Sequence, residues 1–535
     1  MKLPTMRVAD RIQKATQTQW RGYCHTLGAG DGEIYDMENL CSDHYPVLST
    51  RRKRWTLRTL TKPNGLFSWD KLCWVDGTTF YYDGTAKGSV SDGAKTFAAL
   101  GAYVVILPDK KFYNVETDEF GSLESSWSGS VTFDNGTLFE EEAEANTIRA
   151  NGVNWASYFR VGDAVTISGC TVHPENNKTP VIREIDGNKL RFYENVFKLS
   201  GSEGTTAYSE SGVTIARKMP DLLYCCENEN RLWGCDERTI YASKLGDIFN
   251  WNVYDGLDTD SYAVDTGSAG RFTACVSYLG YPIFFKEDHI YKVYGSMPSN
   301  FEMMGSATLG VAEGSAMSLA VAGEILFYQS AAGFVAYSGG IPQPIGDAFG
   351  LDRYENAVAG SDGLKYYAST KKVGGGWSLF VYDAQRGLWH REDATRAVGW
   401  ARYGANTYCL GTDGKLFATE AADGATEEAD FAWFAEFADF TEGDPNKKGL
   451  SKLQIRLEVD TGATVDVWMR FDSVGTWQKV STLQADVKRS YYLPIIPRRA
   501  DHYRVKLSGT GGCRVYSMTR QQYSGSELRS RTGRN

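Results

Sequence analysis

The stretch EILFYQSAAGFVAYSG, Glu324–Gly339, consists of two apolar runs around a tip of small residues. Alternating side chains give each run one buried face and the tip supplies a tight turn, so the stretch predicts a β-hairpin. The pattern recurs along the chain. Upstream it reads LCWVDGTTFYYDG (Leu72–Gly84), YVVILPDKKFYNVE (Tyr103–Glu116), RLWGCDERTIYASK (Arg231–Lys244) and PIFFKEDHIYKVYG (Pro282–Gly295). Downstream it reads YYASTKKVGGGWSLFVYD (Tyr366–Asp383) and TYCLGTDGKLFATE (Thr407–Glu420). These hairpins are mostly about 35 to 50 residues apart, the period of four-stranded propeller blades, with further strand signals between them at Phe272–Ser277 and Ala316–Ala320. A lone blade cannot bury its apolar faces, so neighbours must stack. The alternative is a long β-sandwich whose hairpins resemble one another by chance.

The period breaks once, where about 128 residues separate the second hairpin from the third, and an inserted domain explains the gap. Within it, FRVGDAVTISGC (Phe159–Cys170), VIREIDGNKLRFYENVF (Val181–Phe197) and GVTIAR (Gly212–Arg217) read as strands, enough for a small β-barrel. Beyond Gly424 come an acidic linker, Glu427–Asp430, and an aromatic stretch, Phe431–Phe440. Six alternating segments between Leu453 and Tyr523 then predict a β-sandwich. The expected class is all-β. Its organisation is an extended N-terminal arm (1–60), a propeller of about seven blade motifs (61–124 and 217–425), an inserted barrel (125–216), a C-terminal sandwich (426–523) and a flexible tail (524–535). The arm carries few strand signals and needs a surface to lie on, either its own propeller or a neighbouring subunit.

The chain has 535 residues, a formal net charge of -9 and 13% aromatic residues. That charge argues against a general phosphate-gripping surface. Charge is uneven, with a basic run at Arg51, Arg52, Lys53 and Arg54 and a basic end at Arg529, Arg531 and Arg534. The run is either a solvated loop or a contact for assembly. No opening segment has the order of a secretory signal, and no apolar stretch approaches membrane-spanning length, so a cytoplasmic protein without a membrane anchor is expected. Ten cysteines without a CxxC pair suggest reduced, buried thiols; Cys225, Cys226 and Cys235 are expected in core strands. Cys24, His25, Cys41 and His44 could meet around zinc, but lack paired spacing. Asp255, Asp258, Asp260 and Asp265 could offer oxygens to calcium, but not at the spacing of a calcium loop. No metal and no cofactor is therefore expected.

Catalytic motifs are missing too. No GxSxG, HExxH or GxxxxGK is present. The best match to a sialidase-type box, FDSVGTWQ (Phe471–Gln478), occurs once and lies in the expected sandwich. GAGDGE (Gly28–Glu33) lacks the strand-turn-helix context of a nucleotide site. The chain is accordingly expected to be no enzyme. A propeller glycosidase, which would need two or three converging carboxylates, is the least favoured alternative.

Four stretches carry a family resemblance. LGDIFNWNVYDGLDTDSYAVDTGSAG (Leu245–Gly270) and YPIFFKEDHIYKVYGSMPSNFEMM (Tyr281–Met304) resemble propeller blades of phage structural proteins. MENLCSDHYPVLSTRRKR (Met37–Arg54) is similar to the opening arm of such proteins, and IPRRADHYRVKLSGTGGCRVYSMT (Ile496–Thr519) to the closing sandwich of phage tail proteins. The family resembled is that of the tail nozzle, or packaged-DNA stabilisation, proteins of short-tailed bacteriophages. The resemblance implies a homo-oligomeric ring, a hexamer, below the portal and adaptor proteins, assembled in the bacterial cytoplasm into the virion tail. DNA would pass through without sequence-specific binding, and Arg51–Arg54 would serve assembly. The alternative of another class is a tail adhesin that binds host-surface glycans through the barrel or the sandwich.

Overall fold

The computed structural model describes residues 11–138, 142–193, 196–200, 206–441, 447–484, 487–495 and 498–524. The basic end at Arg529–Arg534 and nearly all of the expected tail lie outside them. The protein is all-β: among the described residues the only helical pieces are five three-residue 3-10 turns. Among the described residues no helix is long and apolar enough to cross a membrane. The chain divides into two compact units, residues 64–316 and residues 1–63 with 317–535. The division falls inside the run of blades, not at the edge of an added domain.

The 64–316 unit holds four antiparallel four-stranded sheets of blade type, spanning 63–89, 96–122, 224–265 and 274–307. Each is a meander in chain order, and its last strand is its most exposed. Blades stack through apolar faces: Val75 and Phe80 of the first share a core with Val104, Ile106 and Tyr113 of the second. Trp233 and Ile240 of the third meet Phe272, Phe284 and Tyr291 of the fourth.

Between the second and third blades lies a six-stranded sheet ordered Thr166–Ser168, Tyr208–Arg217, Ser125–Leu138, Glu142–Arg149, Lys189–Phe192, Ile182–Asp186. Its two edges meet. Gly162 N donates to Ile182 O at 2.8 Å, Ile182 N to Asp163 O at 2.9 Å and Ile167 N to Lys178 O at 2.8 Å. The sheet is thus a closed barrel around Phe133, Trp155, Phe159, Leu190 and Ile215, and closure removes its edges.

The other unit carries three more blades, 320–344, 354–391 and 397–418. The inner strands of the last two approach closely at Gly360, where a Cβ would overlap the Trp400 side chain. The last blade is finished by a distant segment. Five strands cross residues 11–59: β1 Arg11–Gln17, β2 Ile34–Glu38, β3 Leu40–Cys41, β4 Leu48–Thr50 and β5 Trp55–Thr59. β5 pairs with Lys415–Ala418 as the blade's fourth strand.

The sandwich completes the unit. One sheet runs β3, β4, Cys513–Ser524, Lys448–Val459, Arg489–Leu493, with β1 also on Cys513–Ser524. The other runs β2, Ala432–Phe437, Tyr503–Thr510, Thr464–Phe471, Val474–Leu483. The segment expected to be an arm is therefore divided between the sandwich and the last blade, and it lies on its own chain. Its strands are short and partly polar, and the partners of β1, β2, β4 and β5 in the later chain are hundreds of residues away, so local pattern alone conceals them.

Candidate functional site: the basic crossover

Residues 51–54 form the crossover from β4 in the sandwich to β5 in the last blade. Two of its four cations are turned inward. Arg51 donates through both terminal nitrogens to Glu428, at 2.7 and 2.9 Å, and through Nε to Asn39 Oδ1 at 2.8 Å. Its guanidinium lies 3.9 Å from the Phe431 ring centroid. Arg54 donates to Glu392 at 2.6 Å and to Asp393 at 2.7 Å. Both arginines are less than a tenth exposed. Planar, bidentate guanidinium-carboxylate pairing of this kind is the strong form of charge-assisted hydrogen bond.

The electrostatics follow from burial and pairing. Burial pulls the Asp393 carboxyl upward, but the adjacent Arg54 guanidinium outweighs it and holds the group at about 2. Glu428 is likewise raised by burial and lowered more strongly by Arg51. For Arg54 burial disfavours the charge, and Asp393 and Glu392 more than restore it.

Arg52 and Lys53 remain at the surface, where Arg52 pairs with Glu420 at 2.7 Å and Asp43 at 3.2 Å, and Lys53 with Asp430 at 2.8 Å. They line a cavity of about 590 Å³ together with His44, Glu420, Glu458 and Asp460. With every cation of the run matched by a carboxylate, the segment is no phosphate-binding patch. Of the residues expected to serve assembly, Arg51 and Arg54 are buried and clamp the crossover from within. The signal was present in the sequence: the acidic linker Glu427–Asp430 supplies partners to the basic run.

The other candidate sets disperse. Cys24 meets Thr26 Oγ1 and His25 meets Tyr35 O, while Cys41 and His44 both reach Ser49. Each pair serves a local turn, and the four do not converge. In the acidic loop 255–265, Asp260 accepts from the backbone of Gly256 and Leu257, and the carbonyls of Asp258 and Asp260 accept from buried Arg231. The guanidinium holds the loop through its backbone carbonyls. Cys225, Cys226 and Cys235 sit in paired blade strands, and burial raises the Cys225 and Cys235 thiols.

Two features escaped the sequence. Asp472, Asp501 and His502 bring potential ligand atoms within 4.8 Å of one another at one end of the sandwich, with Asp501 exposed. The 29-position separation of Asp472 and Asp501 hides the grouping. The first strands of the blades also carry few acids: Glu227 in the 64–316 unit and Glu355 in the other.

No protein-family model matches the chain, and no curated protein does. Solved structures match weakly. An exo-β-1,3-galactanase from Phanerochaete chrysosporium with galactose is 8% identical, with 61% of this chain and 98% of that chain covered, at a TM-score of 0.22. PorZ, a bacterial surface component of the type-IX secretion system of Porphyromonas gingivalis, is 11% identical, with 87% and 77% covered, at 0.27. Likenesses this low carry no argument about ligand or activity.

Proposed function

We propose that this protein is a structural, non-catalytic subunit of a bacteriophage tail, a nozzle-type component whose copies form a ring below portal and adaptor and retain and conduct DNA. The observation that carries the reading is the interlocking of segments hundreds of residues apart. β1 zips along the C-terminal strand over seven residue pairs, Arg11↔Ser524 to Gln17↔Met518, and β5 completes the last blade. A subunit under load from packaged DNA needs its distant segments tied together, and a long antiparallel ladder resists peeling. The scarcity of carboxylates on the first strands supports a scaffold over a glycosidase, whose chemistry needs a pair. The acidic net charge suits a conduit that DNA slides through.

The test is the mass of the purified protein by light scattering, alone and mixed with portal and adaptor proteins. A ring, or a defined complex that forms on the adaptor, is the expected result. A monomer indifferent to both would sink the reading. A panel of chromogenic glycosides checks the non-catalytic half, with no turnover above a no-protein blank expected.

A further inference from the structure

The sandwich sheet containing β2 has two faces set by strict alternation. Trp433, Ala435, Phe437, Val465, Val467, Met469, Val505 and Leu507 point inward and are buried. The opposite face should be polar if it only meets water. It is not. Phe434, Trp468 and Trp477 stand on it, neighbours of the rows Phe434↔Ser508↔Asp466 and Lys506↔Trp468. They line one side of a cavity of about 560 Å³, within the range of small-ligand sites at roughly 300 to 1,000 Å³.

The rings are held in place. Trp468 Nε1 donates to Ser508 Oγ at 2.9 Å. Lys506 Nζ lies 4.2 Å from the Phe434 centroid, and Arg470 Cζ 4.9 Å from that of Trp477. Asp466 is fixed by Lys479 at 2.8 Å and by the Thr482 hydroxyl at 2.7 Å. A carboxylate, an ammonium and a hydroxyl therefore converge on a rigid aromatic floor. An anion would meet Asp466 and Glu38, a cation would meet Lys506, and a purely apolar ligand would strip water from all three. A neutral polyol satisfies both signs: its hydroxyls donate to the carboxylate and accept from the ammonium, while its C–H face covers a ring.

We propose that this face is a binding site for a neutral oligosaccharide, with Trp468 and Trp477 as the stacking platform and Asp466 and Lys506 as the hydroxyl-pairing groups. The site does not depend on the tail reading, since a ring assembles or fails to assemble whether or not sugar binds.

The experiment titrates the full-length protein with maltohexaose, cellohexaose, laminarihexaose and mannohexaose, followed by tryptophan fluorescence and calorimetry. Saturable binding of at least one, with a Kd of about 1 mM or tighter, is expected. Trp468→Ala and Lys506→Met should each weaken it by about tenfold or more, while Trp69→Ala, at an exposed tryptophan in the other compact unit, leaves it unchanged. Lys506→Met keeps the Phe434 ring covered, so it tests the site even if Trp468→Ala fails to fold. Absence of binding to all four sugars, or binding that survives both substitutions, overturns the proposal. So does an assembly that falls apart on Trp468→Ala or Lys506→Met without any sugar binding, which would assign the face to a second copy of the chain.

Discussion

Arg54 shows how much one side chain can hold. Its guanidinium bridges Glu392 and Asp393, one strand end of the sixth blade, from a position next to β5. Taking one partner from a buried pair costs more than the pair contributes, because the remaining charge stays desolvated. Arg54→Met is therefore expected to lower unfolding free energy by about 3 to 5 kcal/mol in urea titrations at neutral pH. Asp393, held at about 2, adds a pH signature: its contribution is complete above the ordinary carboxylate pKa and is lost as pH falls from about 4 to about 2. His390, fully buried in the same blade, acts earlier. Burial and then the charge of Lys365 push its imidazole down to about 4, against an ordinary value of 6.5. Between those two values the unfolded chain takes up a proton that the folded chain refuses, so stability drops by about 3 kcal/mol as pH falls across that window. His390→Gln should flatten that part of the stability-pH curve and leave the lower arm, to which Asp393 contributes with other paired carboxylates such as Glu428 and Asp383. If the curve keeps its slope between pH 6.5 and 4, another group is responsible.

Strands inherit their legibility from where their partners lie. The hairpin Ile325–Ser330 with Gly333–Tyr337 pairs across a two-residue turn, so alternation and turn chemistry sufficed to read it. Three segments of the sandwich, Lys448–Val459, Thr464–Phe471 and Tyr503–Thr510, were legible because buried residues largely alternate along them. β5 was not. Its sequence, WTLRT, is short, and it enters the sheet 356 residues from its partner register, Thr59↔Lys415. Nor could the outward aromatics of the sandwich be assigned a face, because Trp433 and Phe434 are adjacent and only the register decides which points inward. β5 is interior to its sheet, with Phe417 opposite Thr56 on one side and Thr426 on the other. Proline there removes a ladder donor between two partners, so Thr56→Pro is expected to cost about 3 kcal/mol or more. Proline at Lys87, in the exposed last strand of the first blade, should cost much less. Equal losses at the two positions, by the same urea titration, would mean that β5 is not an interior strand.

The two compact units differ in how the chain supplies them, and that difference is testable on the chain as a whole. Residues 64–316 are contiguous, and the barrel and the blade faces within them form their own apolar cores. The other unit is made from both ends of the sequence. Trp20, Tyr23, Ile34, Met37, Leu40 and Leu48 share a core with Leu453, Ile455, Val467 and Leu507, so without the first 63 residues the sandwich opens and the last blade loses a strand. A fragment of residues 64–316 is thus expected to fold alone, with native-like near-ultraviolet circular dichroism and resistance to limited proteolysis. A fragment of residues 317–535 should be insoluble or protease-sensitive, because its exposed edges and apolar faces have lost their cover. Coexpression with residues 1–63 should rescue it, since strand pairing between separate chains rebuilds the same ladders at the cost of association entropy. The rescue decides the matter: if residues 317–535 fold without 1–63, the N-terminal strands decorate a finished sandwich, and the interlocked segments lose their role in bearing load. If rescue succeeds and β1 alone is dispensable, the load passes through β2 and β5, and truncation at residue 17 would leave assembly on the adaptor intact.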